Sequence, residues 1–479
     1  MNLDDIQGDV LFGLQKNAEQ FVFFKIVDSA AFRRLTRLHL ASRITSARLT
    51  LQREQAIARY KQTGQGAGAP FLGLNLGFTK DGLGQLLRAG RSSLDPSFER
   101  GADHLDIITA LHDPDHNDWL KEFISDRIDG VFLITGASRQ LVGAYCDRLL
   151  SFLGASVKLI YSEIGTVRPG RERGAEHFGF TDSISQPGIR GLTRPSRPSA
   201  APDQGLPGQD LLWPGEFVLG YPTQDPKDPR RPGPVAPLPA LWTHNGSYMV
   251  FRRLVQYVPE FRRFVKEQAV RFGVSADLLA SRMVGRWPSG APTVLAPRED
   301  NTALANDWRH NNDFTYAADP LQHACPYAAH IRKVNPRDDT PEGKAESLTH
   351  RILRRGISFG PEVTPDETTT KHCRGLLFVC YQASIERQFE HIQAKFANDP
   401  AFVSGKRRPG RGEPVAPGHD PIVGQASGNG PRVMDEPAPN YPAGNRRSSL
   451  QMPEQFVKLT AAGYFFMPSL SALRTALTQ

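Results

Sequence analysis

The run "QFVFFKIV" at 20–27 constrains the fold more than any other feature of this 479-residue chain. It is apolar and partly β-branched, which suits a buried strand. The segments downstream of it decide the class. After Asp28, "SAAFRRLTRLHLASRI" repeats apolar residues at helical spacing, with an Asp or Ser available to cap its start. "FLGLNLGF" (71–78) reads as a second strand and "KDGLGQLLRAG" as a short helix. "GVFLITG" (130–136) is a strand, "SRQLVGAYCDRLLSFLG" a helix ending at Gly154, and "SVKLIYSEIG" a strand. Strands and helices interleave, yet no glycine-rich phosphate loop comes after the first strand. An α+β layer with helices on an antiparallel sheet is therefore expected, rather than a nucleotide-binding doubly wound sheet.

The second half repeats the style. "EFVLGYP" (216–222), "GSYMVFRRLV" (246–255) and "GLLFVCYQASI" (375–385) are strand candidates, and "PEFRRFVKEQAVRFG" and "SIERQFEHIQAKFAN" are helix candidates. Long Pro/Gly-rich stretches at 192–215, 223–240 and 403–447 separate them, and loops of that length are usually functional or disordered. The length suggests about two or three domains, and the boundary is placed near 160, giving units 1–160 and 161–479.

Hydrophobic residues make up 39% and charged residues 23%, the balance of a soluble globular protein. No apolar run approaches the ~18 to 20 residues that span a bilayer, and "MNLDDIQGDV" has neither the basic flank nor the apolar stretch of a secretory signal. A cytoplasmic protein without a membrane partner is expected. The net charge of +8 would permit nucleic-acid binding if it were clustered. The densest basic groups, "RPGRER", "KDPRRPGP" and "GKRRPGRGEP", lie in loop-like stretches and read as solvated charge, so no nucleic-acid partner is expected. Cys146, Cys325, Cys373 and Cys380 form neither a C-x-x-C pair nor a C-x-x-C-H haem attachment site.

Three stretches carry residues capable of chemistry, each with a bland alternative. In "EHFGFTDSISQPGIRG" (176–191), Asp182 follows an apolar run and precedes a Gln-Pro-Gly break, as a turn cap or a catalytic acid would. In "CPYAAHIRKVNPR" (325–337), His330 precedes Arg332, Lys333 and Arg337; it is a core histidine or the ligand of a carboxylate-bearing metal cofactor. In "HRILRRGISFGPEV" (350–363), Arg354 and Arg355 flank a strand or supply a fixed cation to an anion. "HDPDH" (112–116) spaces two histidines for a metal, but Pro114 opposes the helix that would align them.

Together these stretches resemble the dye-decolourising peroxidase family, especially its longer, fungal-like branch. "DIQGDVLFGLQKNAEQFVFFKI", "HFGFTDSISQPGI", "EFVLGYP", "NGSYMVFRRLVQ", "MVGRWPSGAP", "RILRRGISFGPE", "GHDPIVGQ" and "GYFFMPS" all look like the family, in its order. The resemblance implies two ferredoxin-like α+β domains with antiparallel sheets, and non-covalent haem b in the C-terminal one. It implies His330 as the iron ligand, Asp182 as the proton shuttle and Arg354 as the catalytic arginine. Arg337 would pair with a haem propionate, and Ile184 and Phe359 would contact the cofactor. The implied activity is reduction of hydrogen peroxide, with one-electron oxidation of small organic reductants such as dyes and phenolics. The alternative is a haem-binding or haem-handling protein with weak turnover.

The chain departs from the family pattern at three points. Ser183 stands where the G-x-x-D-G motif closes on Gly; if φ is positive there, Ser costs ~1 to 2 kcal/mol, and its side chain could narrow the pocket. Gln322 stands where Gly is common ahead of Cys325-Pro326. Phe396 replaces a Trp proposed in relatives as a surface oxidation site, leaving Tyr327, Tyr381 and Trp308 as alternatives.

Overall fold

The fold is taken from a computed structural model that describes residues 1–63, 72–87, 94–125, 127–195, 203–340, 343–407, 414–426, 431–435 and 449–478. Most of "GKRRPGRGEP" and parts of the stretches 192–215 and 403–447 lie outside these residues, as does the end of "KDGLGQLLRAG".

The first half is built from β1 (Ala18–Ile26), α1 (Ser29–Leu35), β2 (Leu72–Phe78), β3 (Gly130–Gly136), α2 (Arg139–Leu153) and β4 (Val157–Thr166). Its sheet is antiparallel in the order β4-β1-β3-β2. The caps follow from the residue types. Asp28 accepts the Ala31 N–H at 2.9 Å, Ser138 accepts that of Leu141 at 3.2 Å, and Gly154 ends α2 with a φ of 53°. Residue 160 lies inside β4, which stays paired to β1 through Thr166. The boundary expected near 160 thus falls within β4.

The second half repeats this plan with β5 (Ser247–Gln256), α3 (Val258–Phe272), α4 (Ala276–Val284), α5 (His330–Val334), β6 (Leu353–Arg354), β7 (Ile357–Phe359), β8 (Gly375–Gln382) and β9 (Val457–Met467). The expected helix at 384–398 forms as wide helical turns over Ile385–Ala397. "EFVLGYP" is not a strand. Residues 214–216 make a tight turn, Phe217, Val218 and Leu219 are buried irregular chain, and pairing starts only at Pro222. A short apolar run between turn residues reports burial, not conformation.

The two sheets close on each other. β7 meets β4 at Phe359 and Gly165, β9 meets β2 at Phe466 and Phe78, and β5 and β8 complete the ring. The result is one barrel whose interior is filled by side chains from both halves. Phe21 and Phe23 of β1 lie 5.2 and 4.9 Å from the Phe251 ring of β5, centroid to centroid. Because side chains alternate across a strand, the neighbours of Phe251 point outward. Arg252, Leu254 and Gln256, with Leu376 and Phe378 of β8 and Val457 and Leu459 of β9, make the floor of a cavity outside the barrel.

The first half also reaches this cavity. Asp113, two residues past the buried Leu111, receives both terminal nitrogens of Arg252, and both side chains are almost fully buried. Asp113→Ala leaves that guanidinium uncompensated and is expected to lower unfolding stability by ~3 to 5 kcal/mol, read from denaturant melts. No helix among the described residues is long and apolar enough to cross a membrane.

Candidate active site

The cavity gathers most of the residues singled out in the sequence. Asp182, Ile184, His330, Arg337 and Arg354 all line it. Phe359 does not. In β7 it shares a face with Ile357, and period-two alternation turns both into the shared core. Its ring lies under the Arg253 guanidinium at 4.4 Å in the core, so Phe359, expected to contact the cofactor, does not join the residues that line the cavity.

His330 opens α5. Its Nδ1 lies 2.8 Å from Oδ2 of Asp420, a fully buried carboxylate whose Oδ1 accepts the N–H groups of Ile422 and Val423 at 2.8 and 3.0 Å. Burial alone would raise the Asp420 pKa, but His330 and the two N–H groups hold it below the ordinary carboxylate range. Burial alone would lower the His330 pKa, and the Asp420 charge more than offsets this. An ionised Asp420 fixes Nδ1 as the protonated nitrogen and leaves Nε2 for a ligand.

Asp182 and Arg354 come from distant segments and pair at 2.7 Å, Arg354 Nη1 donating to Asp182 Oδ1. The Gln-Pro-Gly break brings Gln186 to the backbone of Arg354. Its Oε1 accepts the Arg354 N–H at 3.2 Å and its Nε2 donates to the Arg354 carbonyl at 3.0 Å, latching the loop to β6. Arg355 turns the other way and donates to the Asp9 and Leu11 carbonyls. Asp182 Oδ1 also accepts the Ser183 N–H at 2.5 Å, while Oδ2 has no partner among the described residues. Burial works against ionisation of Asp182, but Arg354 and the Ser183 N–H outweigh it and lower the pKa.

Ser183 does adopt a left-handed backbone, with φ of 64°. The residue that carries this strain also donates its backbone N–H to the carboxylate of the reacting group. Ser183→Gly keeps the N–H and relieves the Cβ, and is expected to raise stability by up to ~1 kcal/mol, read as a higher denaturation midpoint. Gln322 likewise has φ of 54°, but its side chain is used: Oε1 accepts the Tyr327 N–H at 2.9 Å and Nε2 donates to Asp435 at 3.1 Å.

Arg337 and Arg286 form a second focus. Both donate to Oδ1 of Asn312, at 2.7 and 3.1 Å, and spend their other bonds on backbone carbonyls. Neither forms an ion pair among the described residues. Burial, with Arg337 adding repulsion, pushes the Arg286 pKa down to about 10. A buried pair of guanidiniums short of negative charge suits a ligand that brings carboxylates. Non-covalent haem fits this chemistry: one histidine with a free Nε2, apolar walls, and paired cations for propionates. No cysteine lines the cavity, so nothing there would form a thioether.

Sequence reasoning missed Asp420, Gln186 and Arg286. "GHDPIVGQ" and "SISQPG" contain the first two, but no spacing ties Asp420 to a histidine 90 residues earlier. The other candidates separate. His112 Nδ1 meets the Gln425 carbonyl and His116 Nε2 that of Asp103, so the two rings of "HDPDH" turn to separate partners. Phe396 is buried and stacked on Phe402 at 4.2 Å. Tyr327 and Tyr381 are buried, whereas Trp308 is 52% exposed.

Comparison with known proteins agrees with this arrangement. A model described as the DyP dimeric alpha+beta barrel domain matches residues 5–169, and one described as Dyp-type peroxidase, C-terminal, matches 223–402. The chain is 36% identical to Peroxidase 2 of Mycetinis scorodonius, over 100% of this chain and 88% of that protein. An ancestral D-type dye-decolorizing peroxidase superposes with a TM-score of 0.85 at 37% identity, covering 100% of both chains. A dye-decolorizing peroxidase solved with 2,6-dimethoxyphenol gives 0.83 at 32% identity, again over 100% of both. The chain thus belongs to the dye-decolourising peroxidase family, haem b-dependent enzymes that oxidise organic substrates with peroxide.

Proposed function

We propose that His330 is the protein's ligand to haem iron through Nε2, that Asp182 is the proton-transfer group and that Arg354 is the electrostatic partner of the peroxide reaction. The observation that carries this is the convergence on one cavity of the Asp182–Arg354 pair and a histidine whose Nδ1 is anchored by a buried carboxylate. Bound haem supplies the redox chemistry, accepting oxidising equivalents from peroxide and passing them singly to organic reductants.

The chain's own residues do the rest. Asp182, ionised because Arg354 favours its charge, takes a proton from hydrogen peroxide on Oδ2, the oxygen not committed to Arg354 or Ser183. It returns that proton to the departing oxygen, which leaves as water. Arg354, fixed by the Gln186 latch, offers a cation to the charge that grows on the leaving oxygen. Arg337 and Arg286 would hold the propionates, and Ile184 would supply an apolar contact to the cofactor. Phenolics and dyes are the proposed reductants, supported by the related complex with 2,6-dimethoxyphenol. Four free thiols support a cytoplasmic site of action.

Titration with haemin tests the assignment. The wild type should develop a Soret band and oxidise 2,6-dimethoxyphenol with peroxide, and His330→Ala should lose the band's axial-ligand signature and the turnover. Equal affinity with an unchanged spectrum in His330→Ala would overturn it.

A further inference from the structure

Asp420 lies among buried charges that the peroxide reaction leaves unused. Lys333, one turn after His330 on α5, is fully buried and places its ammonium 2.6 Å from the Asp399 carbonyl. The 397–400 stretch runs beside 418–420, since Asp420 N donates to the Ala397 carbonyl and Gly418 N to that of Pro400, both at 2.9 Å. Arg432 approaches from the other side. It donates to the carbonyls of Pro421 and Gly424 at 3.0 and 3.2 Å, wrapping the turn that follows Asp420, and to that of Glu454 at 2.7 Å. Its Nε is buried without a partner, and neither cation forms an ion pair among the described residues.

Two desolvated cations whose hydrogen bonds among the described residues all go to carbonyls, with the Phe402 ring 5.8 Å from the Lys333 ammonium, need an anion nearby. Burial pushes the Lys333 ammonium down to about 7 and Arg432 to about 10, and the Asp420 charge opposes the fall in both. The dependence is mutual: whatever Asp420 does for these cations, they do for its carboxylate. A carboxylate flanked by positive charge is a weaker acceptor for the His330 Nδ1 proton than an isolated one. The acceptor strength at Nδ1 in turn sets how much electron density Nε2 offers a metal.

We propose that Lys333 and Arg432 are positioning residues that moderate the charge on Asp420 and thereby limit the electron density His330 donates to the haem iron, keeping the reduction potential high. This rests on His330 being the iron ligand. Neither residue touches peroxide or the organic substrate. They act through Asp420, on the same side of the cofactor as His330.

The test uses the haem-loaded protein at pH 6, where the Lys333 ammonium is charged. Spectroelectrochemistry gives the ferric/ferrous potential, and resonance Raman of the reduced protein gives the iron–histidine stretch. Lys333→Met and Arg432→Met, on separate elements, should each favour the ferric form by about tenfold, a fall of about 59 mV, and raise the stretching frequency. Lys333→Arg should keep both near wild type. In an Asp420→Asn background the Lys333→Met effect should shrink to less than half. The proposal is overturned if either Met variant folds, binds haem and leaves both readouts unchanged while Asp420→Asn moves the stretch. It is also overturned if Lys333→Met shifts the potential equally with and without the Asp420 carboxylate, because the lysine would then act on the iron directly. If Asp420→Asn itself leaves the stretch unmoved, the His330–Asp420 assignment fails, and the proposal with it.

Discussion

Asp182→Asn is expected to lower the second-order rate of the reaction with hydrogen peroxide by ~10²- to 10⁴-fold, with haem still bound. The amide keeps the side chain's shape and can still accept from Arg354 and Ser183 through its oxygen, as Oδ1 does now. It puts an NH₂ group where Oδ2 must accept a proton, so only the transfer is lost. The pH profile adds a second check. Burial alone would raise the Asp182 pKa, but Arg354 and the Ser183 N–H bring it below the ordinary carboxylate range. The base is active when deprotonated, so the wild-type rate should hold as pH falls through the usual carboxylate range and decline only below it. Stopped-flow rates between pH 3 and 7 measure this.

Arg354→Leu is expected to cost ~10²- to 10³-fold in the same rate, and it differs from Asp182→Asn in its pH dependence. Removing the guanidinium takes away the largest influence that keeps the Asp182 carboxylate ionised, while burial, which favours the neutral acid, remains. The acid limb should therefore move to higher pH in Arg354→Leu. An unshifted limb would mean that the Arg354–Asp182 contact at 2.7 Å does not govern the carboxylate. The latch from Gln186 makes the position of Arg354 a property of the loop that carries Asp182, so the two groups are set together.

Much of the fold is legible in the residues alone. The Phe-rich run at 21–24 announces a buried strand, Asp28 and Ser138 announce helix starts, and the strands Ser247–Gln256 and Gly375–Gln382 form where periodicity places them, whereas the ferredoxin-like plan is implied only by the family resemblance. Local patterns encode local structure, and those elements are local. The barrel's closure is not legible, because each seam rests on a single residue pair, Phe359 with Gly165 and Phe466 with Phe78, between segments far apart in the chain. "EFVLGYP" fails for a related reason: Phe217, Val218 and Leu219 are apolar because they are buried, and periodicity cannot tell buried chain from a strand.

The site divides in the same way. His330, Asp182 and Arg354 stand out in their own stretches, and the fold brings them to one cavity. Phe359, which the resemblance implied as a cofactor contact, lies away from the cavity because its facing depends on the parity of a three-residue strand at a seam. Asp420 is invisible as a partner, since its role exists only once the chain returns to His330 after a long Pro/Gly-rich detour. Ser183 and Gln322 show the opposite case. Both stand where the family favours Gly, and both have positive φ, so the departure of residue type does carry backbone information. At Gln322 side-chain hydrogen bonds compensate, the amide meeting Tyr327 and Asp435, whereas the Ser183 N–H on Asp182 is a bond that glycine would make equally.

The central claim is that Asp182 and Arg354 act on peroxide in the cavity that holds haem at His330. Rapid mixing of the haem-loaded wild type, Asp182→Asn and Arg354→Leu with stoichiometric hydrogen peroxide, followed at the Soret band, tests it most directly. Equal resting spectra are expected, with a fast peroxide-dependent Soret change in the wild type and changes at least about 100-fold slower in both variants. Variants that keep their haem and react as fast as the wild type would contradict it.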